Sequence, residues 1–397
     1  MSIFAPAPEP KSLLGYYRIL SPTAAVRVSP ICLGAMNFGD AWKDFMGACD
    51  KKTTFEILDF FHDQGGNFID TANNYQNEES EQWLGEWMEE RGVRDQMVIA
   101  TKFTTNFRKG QGENIQVNFG GNSSKSLHVS LEASLKKLRT SYIDLVGIAW
   151  DWCWDGSLTE LQLYVHWWDF TGSIPEIMQS LNAMVNAGKV LYLGVSDTPA
   201  WIVSKANEYA RNHGLRQFSV YQGRWNAAKR DFERDIIPMC EAEGMGMAPW
   251  GALGSGNFKS AEQREASDGR QMGGPSEVDI KVSEKLEEIA KKKNTLITSI
   301  AMAYVMHKAP YVFPIVGGRK IDHLKGNIEA LGIELSKEEI DEIDDAAPFD
   351  VGFPLNFLFM NSKRHDTSLN PANVWLTKMT AHIDAPAKPS PIKPHTK

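Results

Sequence analysis

From about residue 28 the chain alternates short apolar runs with longer amphipathic ones, and this alternation narrows the possible folds more than any other feature. Strands are expected at residues 28–36, 68–71, 98–102, 142–145, 190–196, 218–222, 245–249 and 313–316. Helices are expected at 53–64, 80–91, 127–138, 174–187, 200–212, 232–243, 283–308 (two pieces, broken near Asn294) and 321–331. Leu127, Leu131, Leu135 and Leu138 recur at helical spacing in one of them. Strands alternating with helices imply a parallel sheet. Eight such cycles without a Gly-x-Gly-x-x-Gly fingerprint favour a closed (β/α)8 TIM barrel of the α/β class over a doubly wound sheet. The barrel is expected at 28–347 as a single domain, after an N-terminal extension at 1–27 and before a C-terminal tail at 348–397. Residues 251–277, rich in Gly and Ser, read as a mobile loop over the mouth. The tail closes on Ala385-Pro-Ala-Lys-Pro-Ser-Pro-Ile-Lys-Pro394, too proline-rich for helix or sheet, and is expected to be disordered.

Composition removes several function classes. A net charge of −8 leaves no basic stripe to neutralise phosphates, so nucleic acid is not expected as a partner. No stretch reaches the ~18–20 apolar residues of a membrane span, and residues 1–11 carry proline and acid where a signal peptide needs an apolar run. The protein therefore reads as cytoplasmic, a monomer or weak homo-oligomer. Cys32, Cys49, Cys153 and Cys240 are scattered with no zinc spacing, which points to buried thiols and to no metal.

In a barrel, residues at the C-terminal ends of different strands converge on one mouth. Asp70, Tyr75, Lys102 and His166 fall at such ends, as do Ser196, Gln222 and Trp250. A phenol titrates near 10 and becomes a useful acid near neutrality only if its anion is stabilised. A lysine ammonium held by a carboxylate supplies that stabilisation. Taken singly, Asp70 reads as a strand-end cap, Lys102 as a rim lysine and His166 as a core histidine. Four at successive strand ends read as a set.

The motifs in order are Leu33-Gly-Ala-Met-Asn-Phe-Gly39, Phe68-Ile-Asp-Thr-Ala-Asn-Asn-Tyr75, Ala100-Thr-Lys102, Tyr164-Val-His-Trp167, Gly194-Val-Ser-Asp197, Tyr221-Gln222, Trp250-Gly-Ala-Leu-Gly-Ser-Gly256 and Pro314-Ile-Val-Gly-Gly-Arg-Lys320. Together they resemble the aldo-keto reductases from near Leu33 to near Leu335. The wording around Tyr164–Asp169, Val316–Lys320 and Pro348–Pro354 is similar to the fungal branch of aryl-alcohol dehydrogenases and norsolorinic-acid-reductase-like enzymes. The resemblance implies an oxidoreductase that interconverts an aromatic or polyketide-like carbonyl and its alcohol by hydride transfer. It makes Tyr75 the proton donor, with Lys102 and Asp70 lowering its pKa and His166 orienting the carbonyl. It implies NADPH held by Gly34, Ala35, Met36, Asp70, Ser196, Asp197, Gln222, Trp250, Gly251, Leu253, Gly317, Gly318, Arg319, Lys320, His323 and Asn327. Arg319 and Lys320 stand where a 2′-phosphate binds, and Asp197 replaces the commoner Asn by an acceptor-only group. The aromatics Trp42, Phe103, Trp167, Trp168 and Trp225 read either as mouth residues suited to a flat apolar ligand or as core.

One segment departs from the resemblance. Residues 146–162 split the fourth strand just before His166 and carry three of the twelve tryptophans. Val146-Gly147 is compatible with a GT start and Gln162 with CAG, so the segment reads as an unspliced in-frame intron, or else as a real loop. Two other readings of the chain stay open: a non-catalytic NADPH-binding regulatory module, and an inactive product of intron retention.

Overall fold

The computed structural model describes residues 4–146, 167–265, 274–360 and 369–395. Ten strands are described: β1 (Arg18–Ser21), β2 (Ala24–Val28), β3 (Cys32–Gly34), β4 (Phe68–Asp70), β5 (Val98–Thr101), β6 (Ile143–Val146), β7 (Val190–Ser196), β8 (Phe218–Arg224), β9 (Gly246–Trp250) and β10 (Ile315–Val316). Eight of them form one sheet in the order β10-β3-β4-β5-β6-β7-β8-β9, every neighbouring pair parallel. The two edges meet just before β10. Met247 N donates to Tyr311 O and Phe313 N to Met247 O, both at 2.8 Å, so the sheet closes on itself. The fold is the (β/α)8 barrel.

The helices start where side chains satisfy their first free N–H groups. Asp50 caps Lys51–Asp63, Ser123 caps Ser124–Lys137 and Ser173 caps Ile174–Asn186. Ser276 and Asp279 form a reciprocal capping box, so the helix expected from residue 283 begins six residues earlier, at Glu277. The expected break near Asn294 is present: Asn294 adopts a left-handed φ of 51° between Glu277–Lys293 and Ile297–Lys308.

Alternation along the strands sorts side chains into two layers. Cys32, Phe68, Val98, Ala100, Leu145, Val220, Ala248 and Phe313 fill the barrel interior, whereas Ile69, Ile99 and Val195 pack outward under the helices. The expected strand over 28–36 is a correction. β2 ends at Val28 and β3 begins at Cys32, because Pro30 has no N–H for a ladder and Ser29 turns its hydroxyl onto Ile31 O at 2.9 Å. β1 and β2 form a hairpin unforeseen in the sequence. Its Leu20, Ala24 and Val28 join the interior cluster, and Leu20 O lies so close to Gly246 that a Cβ there would sit 2.3 Å away. The hairpin floors the barrel.

Residues 251–265, expected as a mobile loop, carry a 3-10 turn (Gly254–Gly256) and a short helix (Ala261–Glu265), with Phe258 buried and Ser283 Oγ bonded to Asn257 O at 3.3 Å. The proline-rich tail has neither helix nor strand from Ala381 to His395, and it lies on the barrel: Lys388 pairs with Glu241 at 3.3 Å, Lys393 with Glu334 at 2.8 Å, and His395 stacks on Tyr16. Cys32, Cys49 and Cys240 are buried free thiols; Cys153 lies outside the described residues. Among the described residues no helix is long and apolar enough to cross a membrane.

Candidate active site

Strand alternation carries the interior stack upward until it ends in polar groups. Two residues beyond Phe68 stands Asp70; two beyond Ala100, Lys102; two beyond Val220, Gln222; two beyond Ala248, Trp250. Pairing brings these ends level, with Gly34 opposite Asp70, Asp70 opposite Ala100, Ser196 opposite Gln222, and Gln222 opposite Ala248.

Three residues from the sequence set meet here. Lys102 Nζ forms an ion pair with Asp70 Oδ2 and donates to Tyr75 Oη at 3.1 Å. The Lys102 side chain is 0% exposed and that of Asp70 5%, so little water screens the pair. Gln222 Nε2 crosses the mouth to donate to Asp70 Oδ1 at 3.0 Å, fixing the second carboxylate oxygen. Burial drives both titrations toward neutral forms. It pushes the Lys102 ammonium down to about 8 against the pull of Asp70, and it raises the Asp70 carboxyl against the pull of Lys102 and Gln222. His166 lies outside the described residues, as do residues 147–162 of the segment that splits the fourth strand.

A second layer that the sequence did not reveal stands behind the set. Thr101 Oγ1 donates to the fully buried Glu81 at 2.5 Å, and Lys137 Nζ reaches Glu81 at 2.8 Å, Glu78 at 2.9 Å and Asn73 O at 2.6 Å. The network links the end of β5 to the chain on both sides of Tyr75. Its members come from three separate stretches, residues 73–81, Thr101 and Lys137, and share no motif spacing.

Around the rim, Ser196 Oγ donates to Asp197 Oδ2 at 2.8 Å, and Asp197 holds a left-handed φ of 41°. The serine proton is thus committed to its neighbour. Trp250 is half-buried, its indole N–H has no described partner, and Arg224 lies over its ring at 5.9 Å. Gly251 follows with φ 68°, its carbonyl held by Asn226 Nδ2 at 2.9 Å; Leu253 packs on the core. On the opposite side, Gly34 and Ala35 are buried and Met36 half-buried, and Ala35 N donates to Asp70 O at 2.8 Å. Gly317 faces the Asn37 amide and Gly318 the His323 ring. Lys320 is the N-cap of helix Ile321–Glu329 with no side-chain cap, His323 lies in the first turn, and Asn327 is buried further along. Burial, then Lys320 and Arg319, keep the His323 imidazole below its usual range.

Among the aromatics read as mouth or core, Trp42 lies with its ring 6.1 Å from Tyr75, edge-on. Trp225 belongs to the core instead: it is fully buried and stacked on Phe232 at 5.7 Å, one residue past the end of β8, where the strand's alternation points outward into the helix layer. Phe103 and Trp168 are buried, and Trp167 is exposed.

Residues 30–348 match the model of the aldo/keto reductase family. The chain is 56% identical over 98% of its length to norsolorinic acid reductase A of Aspergillus parasiticus, covering 96% of that protein. It is 55% identical to norsolorinic acid reductase B of Dothistroma septosporum, over 96% of this chain and 94% of the relative. An aryl-alcohol dehydrogenase of Pestalotiopsis microspora is 50% identical over 99% of this chain and 97% of its own.

Proposed function

This chain belongs to the aldo/keto reductase family, and on that premise we propose that it is an NADPH-dependent reductase of aromatic or polyketide-like carbonyls, run with Tyr75 as proton donor. The buried contact of Lys102 Nζ with Tyr75 Oη carries this reading, and it favours an enzyme over a cofactor-binding regulatory module.

The residues at the rim suit a nicotinamide dinucleotide. Trp250 offers an aromatic face and an unengaged indole N–H. Arg319, Lys320, His323 and the first amides of helix Ile321–Glu329 offer cationic and N–H donors to a phosphomonoester. Ser196, its proton given to Asp197, keeps lone pairs for a carboxamide N–H. When bound, the dinucleotide supplies a hydride to the carbonyl carbon. As that carbon gains the hydride its oxygen becomes an alkoxide. Tyr75 Oη donates its proton to that oxygen, and the Lys102 ammonium stabilises the phenolate left behind. Asp70, fixed by Gln222, holds Lys102 in place and favours its charged form.

Two results should follow. The Lys102 cation is lost as pH rises through about 8, so kcat/KM for reduction should fall on the alkaline side of that value. The sign for stability is opposite. Between about 8 and 10.5 the unfolded lysine keeps a proton that the folded one has released, so stability should rise with pH across that window. A flat rate profile through pH 8 would remove Lys102 from the proton path.

Arg319→Ala should weaken NADPH binding by about 1.5–3 kcal/mol, the value of a hydrogen bond to a charged group, and leave NADH binding nearly unchanged. Gly47→Ala should mimic it. At φ 78° a Cβ on Gly47 would stand 1.7 Å from the Arg319 guanidinium and drive it aside. Equal losses for the two cofactors, measured by fluorescence titration, would place the 2′-phosphate elsewhere.

A further inference from the structure

The chain just after Tyr75 is strained. Gln76, Asn77 and Glu78 take left-handed φ values of 54°, 52° and 83°, three non-glycine residues in succession. Such conformations persist where the surroundings over-determine them. Here every one of the flanking side chains Gln76, Asn77 and Glu79 is spent on one loop, the connection from β3 that carries Trp42.

Gln76, fully buried, bonds with both ends of its amide: Oε1 accepts from Trp42 N at 2.7 Å, and Nε2 donates to Met36 O at 2.9 Å. Asn77 Oδ1 accepts from the Trp42 indole N–H at 3.1 Å. Glu79 Oε2 accepts from Asp40 N at 2.7 Å and Ala41 N at 3.0 Å. Gly39 packs so tightly on Gln76 that a Cβ there would lie 2.3 Å from the glutamine Cβ. Trp42 is therefore gripped at its backbone N–H and at its indole N–H, with its ring edge-on to that of Tyr75 at 70°.

We propose that Gln76 is a specificity-determining positioning residue: it clamps the loop so that the Trp42 indole forms a fixed aromatic wall beside the Tyr75 hydroxyl, and this wall selects flat aromatic carbonyls over small aliphatic ones. The proposal rests on Tyr75 being the proton donor. A carbonyl that presents its oxygen to Tyr75 Oη must lay its carbon skeleton alongside this pair of rings. An aromatic skeleton meets the indole in the offset or edge-on geometry that rings favour. A short alkyl chain has little surface to place there. The left-handed backbone points the Gln76 side chain back at the loop, so the strain and the clamp are one feature.

The test compares naphthaldehyde with propionaldehyde, with NADPH as reductant, in the full-length parent, in Gln76→Gly and in Trp42→Leu. Glycine adopts the left-handed backbone freely, so Gln76→Gly removes the clamp without adding strain and should melt no lower than a clamp-free loop demands. In both variants the ratio of kcat/KM for naphthaldehyde to that for propionaldehyde should fall by about tenfold, the upper range of one aromatic contact, chiefly through KM for naphthaldehyde. A parent-like ratio in Gln76→Gly overturns the proposal, and so does an equal loss on both aldehydes, which would reduce Gln76 to a structural role. A parent that reduces neither aldehyde overturns the proposed function itself, and the clamp with it.

Discussion

Replacing Tyr75 by phenylalanine should lower carbonyl reduction by about 10²–10⁴-fold, the range that a positioned general acid contributes, with NADPH affinity nearly unchanged. The substitution deletes one hydroxyl. That hydroxyl accepts from Lys102 Nζ at 3.1 Å, and Lys102 keeps its ion pair to Asp70 when the hydroxyl is gone. The ring stays, so the edge-on contact with Trp42 and the position of the cation over the ring at 4.6 Å stay with it. The loss should therefore appear in kcat more than in folding or cofactor binding. Steady-state reduction of an aromatic aldehyde and a thermal melt measure the two sides separately. A variant that keeps half the parent rate would show that the proton comes from another group. Lys102→Met would be a poorer probe, because it strands the Asp70 carboxylate in a buried site and destabilises the fold by roughly 3–5 kcal/mol.

Much of the barrel was legible because period-two strands and period-3.6 helices write their burial into the sequence. Strand 190–196 and helix 200–212 are found with the expected bounds, and Asp70, Lys102, Ser196, Gln222 and Trp250 stand together at the mouth. The floor hairpin was not legible. Its turn is Pro22-Thr23, without the Asn-Gly or Asp-Gly signal that two-residue hairpins favour. The left-handed run after Tyr75 was hidden for a related reason, since Gln, Asn and Glu give no glycine to mark it. The Glu81–Lys137 network was hidden because its geometry exists only once helices Glu79–Arg91 and Ser124–Lys137 pack side by side. Local patterns report faces and periods; contacts between distant helices leave no local pattern to read.

Deleting residues 146–162 should give a protein that melts higher than the full chain and reduces aromatic aldehydes at least as fast. Leu145 faces the barrel interior, pairing with Ala100 on β5 and Tyr192 on β7. Joined directly to Leu163, the strand would read Ile143-Asp-Leu-Leu-Tyr-Val-His, an apolar run suited to a strand buried on both faces. Counting from Leu145, Leu163 would then point outward, Tyr164 inward, Val165 outward and His166 inward. The same count sets Tyr164 opposite Gly194 and His166 opposite Ser196, level with the ring that holds Asp70, Lys102 and Gln222. The deletion thus delivers an imidazole to the mouth with the orientation a carbonyl-orienting group needs, and it removes three tryptophans from a segment with no counterpart in the strand pattern. Intron-derived residues and a genuine substrate loop part company here. If the segment lines the substrate pocket, the shortened protein will fold and lose its activity on aromatic aldehydes. Should it melt higher and turn over faster, residues 146–162 are foreign to the barrel and the fourth strand is complete without them.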